Sequence, residues 1–158
     1  MRRPHWLMAP ETGGERRVAL ALATLAAVGA AVALRVAVQL NGFEPLRPGY
    51  GLWVATAGGI GAASGLWVVR RHYGHSGARG ALRFGWGLVM GSVVAALLAG
   101  TLVLPLYGTM FGPFALLTAL AGAPALALLW LLAFARFHRS MIDWRRERDS
   151  LFAWRPRA

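Results

Sequence analysis

The 158-residue chain contains no cysteine. Disulfides, thiolate metal sites, iron–sulfur clusters and thiol redox relays are thereby excluded. It also contains no lysine, so all seventeen of its cations are arginine. Together with abundant Ala, Gly, Pro and Trp, that points to GC-rich coding before any preference for bidentate chemistry. Acids are scarce, six in all, and none falls inside a long apolar run. The histidines, His5, His72, His75 and His138, stand outside those runs or at their edges. Proton relays across a membrane use intramembrane carboxylates or histidines, and haem between helices commonly takes a histidine ligand. This sequence supplies the residues for neither. Ser64 and Ser92 do lie within apolar runs, but no histidine there could activate them, so nothing resembles a hydrolytic triad. The expectation is a chain that is not an enzyme and holds no metal or resident cofactor.

What is plentiful is apolar. The chain is 57% hydrophobic with a mean hydropathy of +0.50, yet its formal net charge is +11. The cations must therefore be segregated from the apolar mass. Crossing a hydrocarbon core of ~30 Å takes about 20 apolar residues at ~1.5 Å each. Four segments meet that requirement: residues 18–40, 49–69, 84–107 and 114–135. Arg16 and Arg17 stop where the first begins, Arg70 and Arg71 close the second, Arg83 precedes the third and Arg136 follows the fourth. A soluble bundle would need a polar face on each helix, and these segments have none.

Charge asymmetry then sets an orientation. Residues 70–83 carry four arginines and no acid, and the tail from Arg136 carries seven arginines against three acids. Between the first two segments lie only Glu44 and Arg47, and PLYGTMFGP, between the last two, has no charge. The positive-inside rule makes both termini and the middle loop cytoplasmic. The expected fold is an all-α integral membrane protein of four transmembrane helices, N-in and C-in. Residues 1–17 form a basic cytoplasmic segment, 18–135 the helical domain, and 136–158 a basic amphipathic cytoplasmic helix. The first segment reads as an uncleaved anchor, because its apolar core exceeds the usual 7–15 residues of a signal peptide. The expected location is the bacterial cytoplasmic membrane.

In lipid, helices associate through close backbone approach at small residues. Rows of such residues at four-residue spacing run through every segment: Ala19, Ala23, Ala27 and Ala31; Ala57, Gly61 and Gly65; Gly87, Gly91, Ala95 and Ala99; Ala115, Ala119, Ala123 and Ala127. Gly61–Gly65 and Gly87–Gly91 are GxxxG pairs, which predicts tight packing of the second and third helices. Pro124, inside the fourth segment, predicts a kink. Trp53, Trp67, Trp86 and Tyr107 read as interfacial anchors.

One charge breaks the pattern. Arg35 interrupts AAVALRVAVQL and continues the first row as Ala27, Ala31, Arg35, Gln39. It comes about five residues, or ~7 Å, before the helix exit, within reach of snorkelling to a carbonyl, water or Glu44. Alternatively, Arg35 and Gln39 line an intramembrane polar site. His72 and His75 in RHYGHSG could form half a metal site, but a solvated basic loop touching anionic lipid heads is the better reading. In the tail, Phe134, Phe137, Met141, Trp144 and Leu151 trace one helical face. Phe137, Met141 and Trp144, with Arg145, Arg146 and Arg148, are therefore candidate contacts to a partner or to lipid. Nucleic acid is not expected.

The functional expectation is a non-catalytic accessory, scaffold or assembly subunit of a larger membrane complex, plausibly energy-transducing. The alternative is a small oligomeric channel or transporter for an anionic or polar solute, using Arg35 and Gln39. A lipid, quinone or pigment bound between the helices is compatible with either.

Overall fold

A computed structural model describes residues 12–153, with side chains through residue 150. Leu151 of the tail stripe, the basic residues Arg2, Arg3, Arg155 and Arg157, and His5 fall outside the described residues or side chains. Five helices account for most of the chain: α1 (Gly13–Leu40), α2 (Pro48–Val69), α3 (Gly77–Val103), α4 (Tyr107–Ala121) and α5 (Pro124–Ala153). No strand occurs among the described residues. Helices α1, α2, α3 and α5 are long and apolar enough to cross a membrane, whereas α4 is a shorter apolar helix. The protein is thus all-helical and multi-pass.

Local chemistry explains most helix ends. Helix α1 begins five residues earlier than expected, at Gly13, because the Thr12 hydroxyl caps it by accepting the Glu15 N–H at 3.2 Å. At its other end Gly42 takes φ 66°, and two hydrogen bonds close the turn: Gly42 N–H to the Gln39 carbonyl, and Phe43 N–H to the Val38 carbonyl. This is a Schellman cap, which needs a residue tolerant of positive φ at Gly42. Pro48 opens α2, where its missing N–H has no helical partner to lose. Leu104 is extended ahead of Pro105, whose ring disfavours the helical region for the residue before it, and that ends α3.

The fourth expected segment, residues 114–135, is not one kinked helix. The chain is already helical from Tyr107, breaks after Ala121, and restarts at Pro124. A proline cannot donate into the preceding turn and its ring collides with the carbonyl four residues back. It is well suited to a first turn, so here it separates two helices instead of bending one. Residues 136–153 continue α5 without interruption, one helix from Pro124 to Ala153.

The helices meet backbone to backbone. A side-chain carbon on Gly65 would lie 2.6 Å from the Gly91 carbonyl oxygen, and one on Gly61 would lie 2.7 Å from that of Ala95. Helix α2 makes an equally close contact on its other side. There a carbon on Gly58 would come within 2.6 Å of the Gly29 carbonyl, and one on Gly29 within 2.7 Å of the Gly58 carbonyl. Helix α4 folds back antiparallel to α3, with Gly108 against Gly100 and Gly112 against Ala96. Thr101 and Thr109 hydroxyls bond across this hairpin at 2.7 Å.

On α2 and α3 the rows Ala57, Gly61, Gly65 and Gly87, Gly91, Ala95 are buried. On α1 the expected face is wrong: Ala19, Ala23, Ala27 and Ala31 are exposed, and Ala21, Leu25, Gly29 and Val32 face the bundle. The reason is Gly29, the one glycine between Val18 and Leu40. Only its side of the helix can approach Gly58 at backbone distance, and alanine is acceptable to lipid on the other.

Glycines that touch backbone and glycines that touch nothing should respond oppositely to a methyl group. Gly65→Ala is expected to lower the melting temperature in detergent, since overpacking commonly costs about 1–3 kcal/mol. Gly85→Ala, where a side-chain carbon meets nothing within 4 Å, should leave it unchanged or raise it through helix propensity. Thermal melts followed by circular dichroism check both.

Candidate functional site

Arg35 has an intrachain answer. The cap that ends α1 turns Phe43 back along the helix, and the Arg35 guanidinium carbon sits 5.0 Å from the centroid of its ring. A cation over an aromatic face is stabilised by the ring quadrupole. Arg35 and Gln39 are both half-buried, and they continue the outward row of Ala27 and Ala31.

At the opposite end of the bundle, the RHYGHSG loop is solvated only in part: Arg71, Ser76 and Gly77 are exposed, but its centre is not. Tyr73 is fully buried. Its ring packs edge-on to Phe84 and Phe137 at centroid distances of 6.0 and 5.5 Å, and tilted against Phe134 at 6.1 Å. Gly74, at φ 81°, donates its N–H to His138 Nδ1 at 3.3 Å. Its Cα lies so near α5 that an added carbon would meet Arg145 Nε at 2.9 Å and Met141 at 3.0 Å. Arg145 in turn donates to His75 Nε2 at 3.3 Å. The loop is therefore latched onto the second half of α5. The sequence pattern misses this because the glycine that permits the docking reads as an ordinary loop residue.

This arrangement also settles where the tail residues lie. Phe137 and Met141 are buried within the chain itself. Trp144 packs against Gly14 of α1, and Arg148 stacks on its outer face at 5.0 Å. Arg17 and Asp143 stand 3.8 Å apart across the α1–α5 contact. Arg146 and Arg148 are exposed. The two loop histidines do not converge: His72 Nδ1 lies 3.1 Å from the Val69 carbonyl, while His75 faces Arg145. Among the described residues no group of three or more His, Cys, Asp or Glu could hold a metal ion.

A recess lies at the end away from this latch. A cavity of about 470 Å³ is walled by the C-terminal halves of α1 and α3, the N-terminal half of α2, and α4. Trp130 of α5 closes it, with its indole N–H already donated to Ser92 Oγ at 3.0 Å. Neither Arg35 nor Gln39 is among its lining residues. Beside it, the α1–α2 connection forms a polar recess of about 360 Å³ from Asn41, Glu44, Arg47 and Tyr50, with Pro45 and Leu46. Tyr50 belongs to both. Sequence reasoning did not locate either recess. The available signal was the run of small residues on three helices at this end, which leaves volume that no bulky side chain fills.

Two titrations follow from the latch. The Tyr73 hydroxyl is buried without a hydrogen-bond partner, and burial pushes its phenol above the ordinary range. A buried unsatisfied hydroxyl costs about 1–3 kcal/mol. Tyr73→Phe should therefore keep or raise the melting temperature, while Tyr73→Ala should lower it sharply. Burial and then the charges of Arg145 and Arg83 lower the His75 imidazole from its usual 6.5. The unfolded chain then binds the proton first as pH falls. Stability is expected to be full above about pH 6.5 and to decline as pH drops toward the folded value. His75→Gln should make that decline shallower in a melting-temperature series across pH 5 to 8 (about the imidazole range).

Compared with protein-family models, with curated proteins and with solved structures, the chain matches none.

Proposed function

We propose that the protein is a non-catalytic accessory subunit of a larger membrane assembly. It sits in the bacterial cytoplasmic membrane with the latched, arginine-rich end and both termini in the cytoplasm, in keeping with the positive-inside rule. The observation that supports a subunit role is the outward row of α1. Ala19, Ala23, Ala27 and Ala31 are exposed, although on α2 and α3 the rows Ala57, Gly61, Gly65 and Gly87, Gly91, Ala95 are buried. Four-residue spacing over that length makes a flat stripe of about 18 Å, along which another helix could approach to backbone distance. Arg35 ends the stripe half-exposed, so the helix that fits is one from a different chain with a carboxylate or free carbonyl at that level. A second copy of this chain would instead bring two guanidinium groups toward each other.

The test is purification in mild detergent, with the native mass and subunit stoichiometry measured. The wild type is expected in a complex of fixed composition. The Ala23→Leu/Ala27→Leu variant should be released from it with an unchanged melting temperature, because both sites lie outside the bundle's own core. A wild type that runs alone, or only as a homo-oligomer, contradicts the subunit reading.

A further inference from the structure

The apolar cavity and the polar recess adjoin at Tyr50, so together they present one amphipathic site. We propose that this site binds a single phospholipid with a phosphoethanolamine head group. One acyl chain occupies the cavity, the phosphate meets Arg47, and the ammonium meets Glu44.

The tail assignment follows from the cavity's chemistry. Its volume, about 470 Å³, is of ligand-site size. Its walls are aliphatic, aromatic or glycine backbone, and its polar side-chain groups are the phenols of Tyr50 and Tyr107 and the indole of Trp130. The indole is already bonded to Ser92, and both tyrosines are exposed, as residues at the mouth are. A buried water needs two to four polar partners, and the walls are almost entirely apolar. A quinone or pigment with ring carbonyls would leave those groups equally unpaired, whereas a hydrocarbon chain needs no partner.

The head assignment follows from position and charge. The recess lies where α1 ends at Leu40 and α2 begins at Pro48, the level at which the chain leaves the apolar segments. The cavity runs from there toward Trp130 in mid-bundle. A lipid lies in a leaflet with the same polarity, head at the edge and tail inward. Arg47 offers a fork suited to phosphate oxygens, and Glu44 a carboxylate for a primary ammonium, both within one recess. A purely anionic head would satisfy Arg47 but would place its charge beside Glu44.

The experiment uses full-length protein reconstituted in vesicles of equal parts phosphatidylethanolamine and phosphatidylglycerol, extracted in mild detergent and weighed by native mass spectrometry. Wild type is expected to retain one phosphatidylethanolamine per chain, in excess over its share of the vesicle. Ala115→Phe, which fills the cavity from α4, should lose the bound lipid. Glu44→Arg, on an exposed residue outside the helices, should keep a lipid but reverse the preference toward phosphatidylglycerol. Retention of no lipid by wild type overturns the proposal. So does retention in vesicle proportions that Glu44→Arg leaves unaltered. Subunit association does not enter this readout, so the site and the accessory role stand or fall separately.

Discussion

The fold depends on how closely α2 can approach its two neighbours. In lipid no hydrophobic force drives helices together, so attraction must come from dispersion and weak backbone contacts at short range. Gly58 meets Gly29 on one side, and Gly61 and Gly65 meet Ala95 and Gly91 on the other. At these points the facing atoms are carbonyl oxygens and alanine Cβ atoms, neither of which can rotate away as the end of a longer side chain can. Every one of these glycines fixes both a distance and a rotation about the helix axis. The inward face of α1 and the outward alanine row are two consequences of the same contact.

Side-chain volume is then distributed unevenly along the bundle. Toward the latched end, Tyr73, Phe84, Phe134 and Phe137 form an aromatic plug, with Tyr73 and Phe134 fully buried. Buried Met141, set against Gly74, and the Arg145–His75 contact seal it. At the other end the helices present alanine, glycine and valine to each other, and α4, too short to match its neighbours, completes the wall. The same small residues that let α1, α2 and α3 touch leave a void where α4 joins them. A closed end and an open end thus arise from where the aromatic residues fall in the sequence.

How much of this was legible in the sequence varies with the physics of each element. Hydropathy and arginine punctuation locate α1, α2 and α3, because the bilayer constrains length and charge directly. The α2–α3 contact was legible because Gly61–Gly65 and Gly87–Gly91 are rarer than alanine here. The rotation of α1 was not, since alanine suits lipid and helix contact alike and the decisive Gly29 has no glycine four residues away. Pro124 marked a disturbance, but whether a proline bends one helix or separates two depends on whether the preceding turn is held by tertiary contacts. The docking of RHYGHSG and the cavity depend on residues far apart in sequence coming together, as Gly74 does with His138 and as α1, α2, α3, α4 and Trp130 do around the cavity. Local periodicity carries no information about those.

The most direct measurement of the central claim, that backbone contact at glycine sets the rotation of α1, is a pair of cysteine experiments on the cysteine-free chain. A side-chain carbon on Gly59 would lie 4.0 Å from that of Ala26, within the ~3.5–4.5 Å that a disulfide spans between Cβ atoms. After mild oxidation in the membrane and unfolding in SDS, Ala26→Cys/Gly59→Cys should be protected from maleimide labelling until reduced. Ala27→Cys/Gly59→Cys, one residue around the helix and facing outward, should label at both positions throughout. Protection of the second pair in place of the first would mean that α1 presents its alanine row to the bundle, and the account of the packing would be wrong.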